Sequence, residues 1–423
     1  MLKYHIWTIG CQMNKAESER LGSLLEKQDY QATDTAEEAD LILLNSCVVR
    51  ESAESRVINR IHSLKPFKKA HPNSVLAVTG CLVNSEIDQL KKNFPHVDYF
   101  FKAGDCPPWV ERTQSNSTLP QHPPPAVFVP IMQGCDNFCS YCIVPYRRGR
   151  EKSRTIEEIV CEVEELVHRS AKEVTLLGQN VNSYGHDLPN QPDLADLLAE
   201  LNTIVELKRI RFLTNHPKDM NAKLIKTIAS LDKVCKQICL PIQSGNDEIL
   251  KAMRRGYTKE QYRQLIRQIR NAIPGVALST DVIVGFPAES PGQFQETVDL
   301  LSEIKFDTVH VAVYSSRSGT LADREFEDNI PLPEKKRRLS EVEQLQEKIA
   351  IGINAQLLGK TIEILVEGKA KDKWQGRTRT DKLVFFNDDS DYLGQLVKIR
   401  IRRTSPWSLQ GEVKSSDTNK EEK

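Results

Sequence analysis

The residues able to do unusual chemistry in this chain are its cysteines. The stretch GCDNFCSYCIVPYRRG, residues 134–149, places Cys135, Cys139 and Cys142 at C-x3-C-x2-C and supplies no fourth cysteine nearby. Structural zinc sites close with four protein ligands, often as two C-x2-C pairs, and no second pair follows here. A 4Fe–4S cluster held by three thiolates leaves one iron free for a ligand from outside the protein. From the residues alone two alternatives stand: zinc-binding or plainly buried thiols, or a cluster completed by a small molecule. A second trio, Cys11, Cys47 and Cys81, is spread along the chain, each cysteine directly following a β-rich run: YHIWTIG, DLILLNS and VLAVTG. In an open parallel sheet the carboxyl ends of the strands share one edge, so three distant thiols can converge there. The alternative is that each packs as a small apolar residue.

The elements that must position these groups are of the α/β class. Helical patterns such as KAESERLGSLLEKQ separate the first three strands, which implies βαβ units and an open parallel sheet. Residues 113–126, TQSNSTLPQHPPPA, read as a linker between residues 1–112 and a central domain, residues 127–356. There the runs VTLLGQN, IRFLTN, QICLPIQSG, LSTDVIVGFP and TVHVAVYS alternate with helices and predict a full or partial (β/α) barrel. A long helix, LPEKKRRLSEVEQLQEKIAIGINAQLLG, ends it. Residues 357–414 then alternate like a small antiparallel β-barrel, and residues 415–423 read as a disordered tail. Between residues 360 and 411 eleven Lys and Arg stand against seven Asp and Glu. The whole chain of 423 residues carries no net charge, so an anionic partner would need such a local basic surface. Arg377, Arg379, Lys398, Arg400, Arg402 and Arg403 predict that face, with Trp374 and Phe385 as stacking groups; charge on strands also keeps edges from pairing. MLKYHIWTIGC carries no signal-peptide pattern and no apolar run reaches about 18 residues, so a cytoplasmic protein without membrane spans is expected. Reduced thiols follow from that compartment.

C-x3-C-x2-C after the first barrel strand resembles the signature of the radical S-adenosylmethionine (SAM) enzymes. The resemblance implies a 4Fe–4S cluster on Cys135, Cys139 and Cys142, with SAM chelating the fourth iron and Tyr141 near the adenine. The motifs TIGCQMNKAES, LNSCVVRESAE, TGCLV, LLGQNVNSYG, LPIQSGNDEILKAMRRGYT and STDVIVGFP extend it to the radical-SAM methylthiotransferases. The end of the chain is similar to the TRAM domain, an RNA-binding barrel. GCQMN and GQNVNSYG look most like the tRNA 2-methylthio-N6-isopentenyladenosine synthases. That likeness implies a second 4Fe–4S cluster on Cys11, Cys47 and Cys81 and two uses of SAM. One methylates the sulfur to be transferred, and the other yields the radical that abstracts hydrogen from C2 of the adenine. The implied partners are tRNA carrying N6-isopentenyladenosine and an electron donor such as flavodoxin or ferredoxin, and a monomer is expected. Threonylcarbamoyladenosine tRNA or a ribosomal protein is the alternative substrate. A zinc-bearing RNA-binding protein without catalysis is the alternative of another class. Asn215, Asn246, Ser318 and Leu321 depart from residues more usual in the family.

Gln179 and Asn180 follow a strand where radical-SAM proteins contact the SAM amine, or serve a plain loop. Ser244 and Asp281 face the cofactor ribose or cap helices. Arg147, Arg148 and Arg150 meet tRNA phosphates or a SAM carboxylate, or form a solvated turn. Cys106, Cys161, Cys235 and Cys239 are read as packing residues.

Overall fold

The computed structural model describes residues 1–48, 51–83, 87–110 and 119–414. The expected disordered tail, most of the linker's first half and part of LNSCVVRESAE therefore lie outside the described residues. Strands β1 (Leu2–Thr8), β2 (Tyr30–Ala32), β3 (Leu41–Ser46), β4 (Val75–Gly80) and β5 (Tyr99–Phe100) form a parallel sheet ordered β2-β1-β3-β4-β5. Every residue of β3 is buried, as a central strand covered on both faces requires, which explains its unbroken LILL run. The short edge strands β2 and β5 carry no strong pattern and were not anticipated.

Strand β6 (Ala126–Pro130) opens the central domain. It pairs with β9 (Glu173–Leu177), which pairs with β10 (Arg209–Phe212), all parallel. Strands β11 (Gln237–Cys239), β12 (Ala277–Val284) and β13 (Thr308–Val313) form a second parallel set. A bridge from Ile210 to Val234 joins the halves, while β6 and β13 do not pair among the described residues. The barrel is therefore partial. Helices between its strands start on reciprocal caps at Thr155, Asp193, Thr258 and Ser290, each with Glu, Asp or Gln three residues on. A two-strand ribbon, β7 (Met132–Gln133) against β8 (Lys152–Ser153), closes the base of the cysteine loop.

Strands β14 (Thr361–Ala370), β15 (Lys373–Thr378), β16 (Leu383–Phe386), β17 (Leu396–Thr404) and β18 (Leu409–Val413) close into a small barrel. One pair, β16 with β18, is parallel, so the antiparallel expectation needs correction: the β17–β18 hairpin returns along β16 in its own direction. This barrel docks at the amino ends of the central strands. Buried Arg209 and Arg211 on β10 donate to the carbonyls of Arg377 (2.7 Å) and Thr378 (2.6 Å), and Glu173 balances Arg211 at 2.6 Å. Arg379 donates back to the carbonyls of Asp232 and Val234. At the other side of the molecule, helix Gln12–Glu26 lays Met13 and Ala16 on Leu177, Phe128 and Leu213, which seats the N-terminal domain on the central sheet. Among the described residues no helix is long and apolar enough to cross a membrane.

Candidate metal centres and nucleic-acid interface

Cys11, Cys47 and Cys81 lie immediately beyond the carboxyl ends of β1, β3 and β4, at one edge of the sheet. Their approach is tight. Gly10, at φ +146°, has no room for a Cβ, which would lie 2.7 Å from the Cβ of Cys47 and 2.5 Å from Asn14 Oδ1. The Cys11 thiol sits 3.3 Å from Asn14 Oδ1. Asn14 Nδ2 donates to Asn45 Oδ1 and to the Ser46 carbonyl, both at 2.9 Å, and Asn45 Nδ2 returns a bond to the Asn14 carbonyl. Buried amides thus lock the ends of β1 and β3 together, and the Cys81 N–H ties the end of β4 to the Ser46 carbonyl at 2.8 Å. Cys47 and Cys81 are buried and Cys11 is exposed. Burial raises the Cys81 thiol to about 11, against the lowering pull of Arg148.

The second trio occupies one loop at the carboxyl end of β6. Gly134 starts it at φ +84°, where a Cβ would collide with the Arg150 carbonyl. Its N–H donates to Gln179 Oε1 at 2.6 Å. Ser140 N–H and Oγ–H donate to the carbonyls of Met253 (3.1 Å) and Ala252 (2.7 Å), pinning the loop across the barrel mouth. Cys139 is buried, and Arg255 Nη1 donates to its sulfur at 3.3 Å. Burial lifts Cys142 to about 12 and Cys135 to about 11; Cys139 adds to both shifts, with Cys135 contributing at Cys142 and Glu151 at Cys135. Tyr141 packs with Ile249, Met253, Phe286 and Tyr314.

Residues 129–301 match the radical SAM superfamily, residues 3–102 the family described as uncharacterized protein family UPF0004, and residues 355–414 the TRAM domain. A tRNA-2-methylthio-N(6)-dimethylallyladenosine synthase of Dehalococcoides mccartyi (strain CBDB1) is 55% identical over 410 residues, 97% of this chain and 98% of that one. One from Roseiflexus sp. (strain RS-1) is 46% identical over 431 residues, 98% of this chain and 90% of that one. The chain belongs to this family. Among solved structures, the radical S-adenosylmethionine methyltransferase TsrM of Kitasatospora setae aligns with a TM-score of 0.51. It is 14% identical over 76% of this chain and 74% of its own, a likeness of fold alone.

Radical-SAM membership implies a 4Fe–4S cluster and SAM, and the residues fit both. The Arg255 guanidinium is wholly buried, and its partners are Cys139, Tyr141, Tyr257 and the Pro241 carbonyl, with no carboxylate among them. A buried cation needs a counter-charge, and a metal-bound thiolate at Cys139 supplies one. At the carboxyl ends of β9, β10 and β11, Asn180 Oδ1, Asn215 Oδ1, His216 Nε2 and Gln243 Oε1 are buried without a hydrogen-bond partner. Three orphaned amide oxygens and one orphaned N–H, since His216 Nδ1 accepts from Lys218 N–H and leaves the proton on Nε2, suit a polar nucleoside carrying an amino acid. Among the described residues, no three His, Cys, Asp or Glu side chains form a single-ion site.

Several sequence expectations change. Gln179 orients the cysteine loop, and Asn180 Nδ2 binds Asp219 at 2.7 Å. Ser244 Oγ is buried and accepts from Asn246 N–H at 3.3 Å, but it does not cap helix Asp247–Ala252, because Asn246 does. Asp281 pairs in register with His310 on β13. Arg150 pairs with Asp136 on the surface, but Arg148 is no solvated turn residue: it is buried against Cys81. Trp374 cannot stack on a base, because it is buried in the small barrel with its N–H on the Asp388 and Ser390 carbonyls. Arg377 pairs with Asp381 and Arg379 clamps the barrel junction, so neither belongs to a free basic face. Lys398, Arg400, Arg402 and Arg403 remain exposed on β17, and 59%-exposed Trp407 lies just beyond it. Cys235 is buried as expected, whereas Cys161 is exposed. Arg255 went unnoticed, although RRGY in LPIQSGNDEILKAMRRGYT held it.

His216 carries a prediction for stability. Burial, then the charges of Arg255 and Lys218, push its imidazole from 6.5 down to about 2. The unfolded chain takes up a proton below pH 6.5 that the folded chain refuses. Stability therefore falls with pH below 6.5, by up to about 1.4 kcal/mol per unit from this group. Thermal melts from pH 7 to 4.5 should show a shallower acid loss for His216→Asn than for the parent. Parallel profiles would contradict the assignment.

Proposed function

We propose that this chain inserts a methylthio group at C2 of N6-isopentenyladenosine beside the tRNA anticodon. The observation that carries the reading is the pair of thiol trios, one at a sheet edge and one in the barrel-mouth loop, joined through the buried Arg148–Cys81 contact. Cys135, Cys139 and Cys142 would hold a cluster whose chemistry is to supply the electron for SAM cleavage. Cys11, Cys47 and Cys81 would hold a second, which would carry the sulfur to be methylated and transferred. The protein's part is positional. Gln179 fixes the loop, Arg255 balances the charge at Cys139, and Tyr141 packs beside Cys142 with the cofactor adenine as its expected neighbour. Asn180, Asn215 and Gln243 offer acceptors to the bound nucleoside, and their burial keeps water from the radical. A one-electron donor such as flavodoxin or ferredoxin, a monomeric state and a cytoplasmic setting complete the reading. Its domain limits are residues 1–112, 127–356 and 357–414.

Incubating the anaerobically reconstituted protein with SAM, a reductant and isopentenyladenosine-bearing tRNA tests this by nucleoside mass spectrometry. The methylthio nucleoside is expected. Formation of 5′-deoxyadenosine without it would direct the search to another substrate, and zinc in place of iron would sink the reading.

The outer face of β17 is proposed to meet tRNA phosphates, with Trp407 against an unpaired base. Lys398→Ala and Arg400→Ala should each lower the slope of log affinity against log salt by about 0.7–1. Trp407→Ala should weaken binding with the slope unchanged. Filter binding at several salt concentrations measures both, and an unaltered slope in the double variant would exclude this face.

A further inference from the structure

Arg148 lies six residues after Cys142, at the end of the five-residue helix Val144–Arg148. Its side chain leaves the barrel and enters the N-terminal domain, where Nε donates to the Cys81 sulfur at 3.2 Å and Nη1 to Glu17 Oε1 at 2.8 Å. The residue is 8% exposed, and Nη2 is buried with no partner. Cys11 also lies within reach of its charge. One short helix therefore starts beside the ligands of one trio and ends on a ligand of the other. At 1.5 Å per residue, this five-residue helix is only about 8 Å long.

The Glu17 carboxylate balances the guanidinium charge, while Arg148 Nη2 and Glu17 Oε2 are both left unmatched. The spare donor and the Nε bond on Cys81 both suit an anionic sulfur. A cluster on Cys11, Cys47 and Cys81 would answer them with the Cys81 thiolate and inorganic sulfide. Resting on the two-cluster reading above, we infer that Arg148 is a positioning residue for the N-terminal cluster. It holds the Cys81 thiolate by a charge-assisted hydrogen bond, sets the cluster's reduction potential, and fixes its distance from the SAM loop. A cation bonded to a ligating sulfur stabilises the more negative, reduced cluster, so its loss lowers the potential.

The test uses the full chain carrying Cys135→Ala, Cys139→Ala and Cys142→Ala, so that the N-terminal cluster alone is loaded. Iron content and an anaerobic redox titration followed by electron paramagnetic resonance are compared with Arg148→Gln and Arg148→Lys added. Arg148→Gln should shift the midpoint potential to more negative values, and Arg148→Lys should recover part of the shift. Iron lost from Arg148→Gln and kept in Arg148→Lys supports the inference equally, with outer-shell losses of roughly ten- to a hundredfold in iron affinity expected. An unchanged potential with four irons retained would overturn it. So would equal iron loss and an equal fall in melting temperature in both variants, which would mark Arg148 as only a tie to Glu17. A parent triple variant that binds no iron at all would instead defeat the two-cluster reading itself.

Discussion

Cys139→Ala is expected to eliminate 5′-deoxyadenosine formation and to reduce bound iron from roughly eight atoms to roughly four. The effect is the largest predicted because the loss of a cluster anchor coincides with the loss of a buried counter-charge. The loop offers only three thiols, so one removal leaves a cluster with two protein anchors. Cys139 is the buried member of the trio. Its sulfur is also the one bonded by Arg255, whose buried charge then lacks its anionic partner. Loss of a partner from a buried charged pair costs about 3–5 kcal/mol, so the loop itself should loosen. Cys135→Ala and Cys142→Ala should match it in activity with a milder effect on melting. Anaerobic iron assay and chromatography of SAM products decide the matter, and sustained SAM cleavage by Cys139→Ala would falsify the assignment.

Cys81→Ala should produce the opposite pattern: SAM cleavage persists and no methylthio nucleoside forms. The N-terminal thiols lie on a separate sheet with its own apolar core, so the barrel loop keeps its contacts with Gln179, Met253 and Ala252. Cys47→Ala should behave alike. Cys11→Ala should lose the product with the smallest change in melting, since Cys11 is exposed. Should cleavage vanish in this set as well, the two trios do not divide the work.

How much of this was legible in the chain depends on range. The Cys135–Cys139–Cys142 loop falls within eight residues, and its spacing is a local property. The parallel sheet was readable too, because LILL and LAV are continuous apolar runs that suit strands covered on both faces. The short edge strands β2 and β5 were not, since pairing on one side imposes little pattern. Trp374 illustrates a different failure: alternation shows that two faces exist, but the closure of the barrel decides which one is inside. Arg377 and Arg379 look like RNA-binding residues until the fold pairs the first with Asp381 of its own small barrel and turns the second onto the Asp232 and Val234 carbonyls of the central domain.

By itself the sequence determined the chemical types and their order: two sets of three thiols, each following a strand, and a basic β-rich module after a long helix. The docking of the domains decided where the charge went. Arg148 and Cys81 are 67 positions apart, and Arg255 and Cys139 are 116. Nothing in either neighbourhood signals its partner, because burying a guanidinium is favourable only once both surfaces have closed around it.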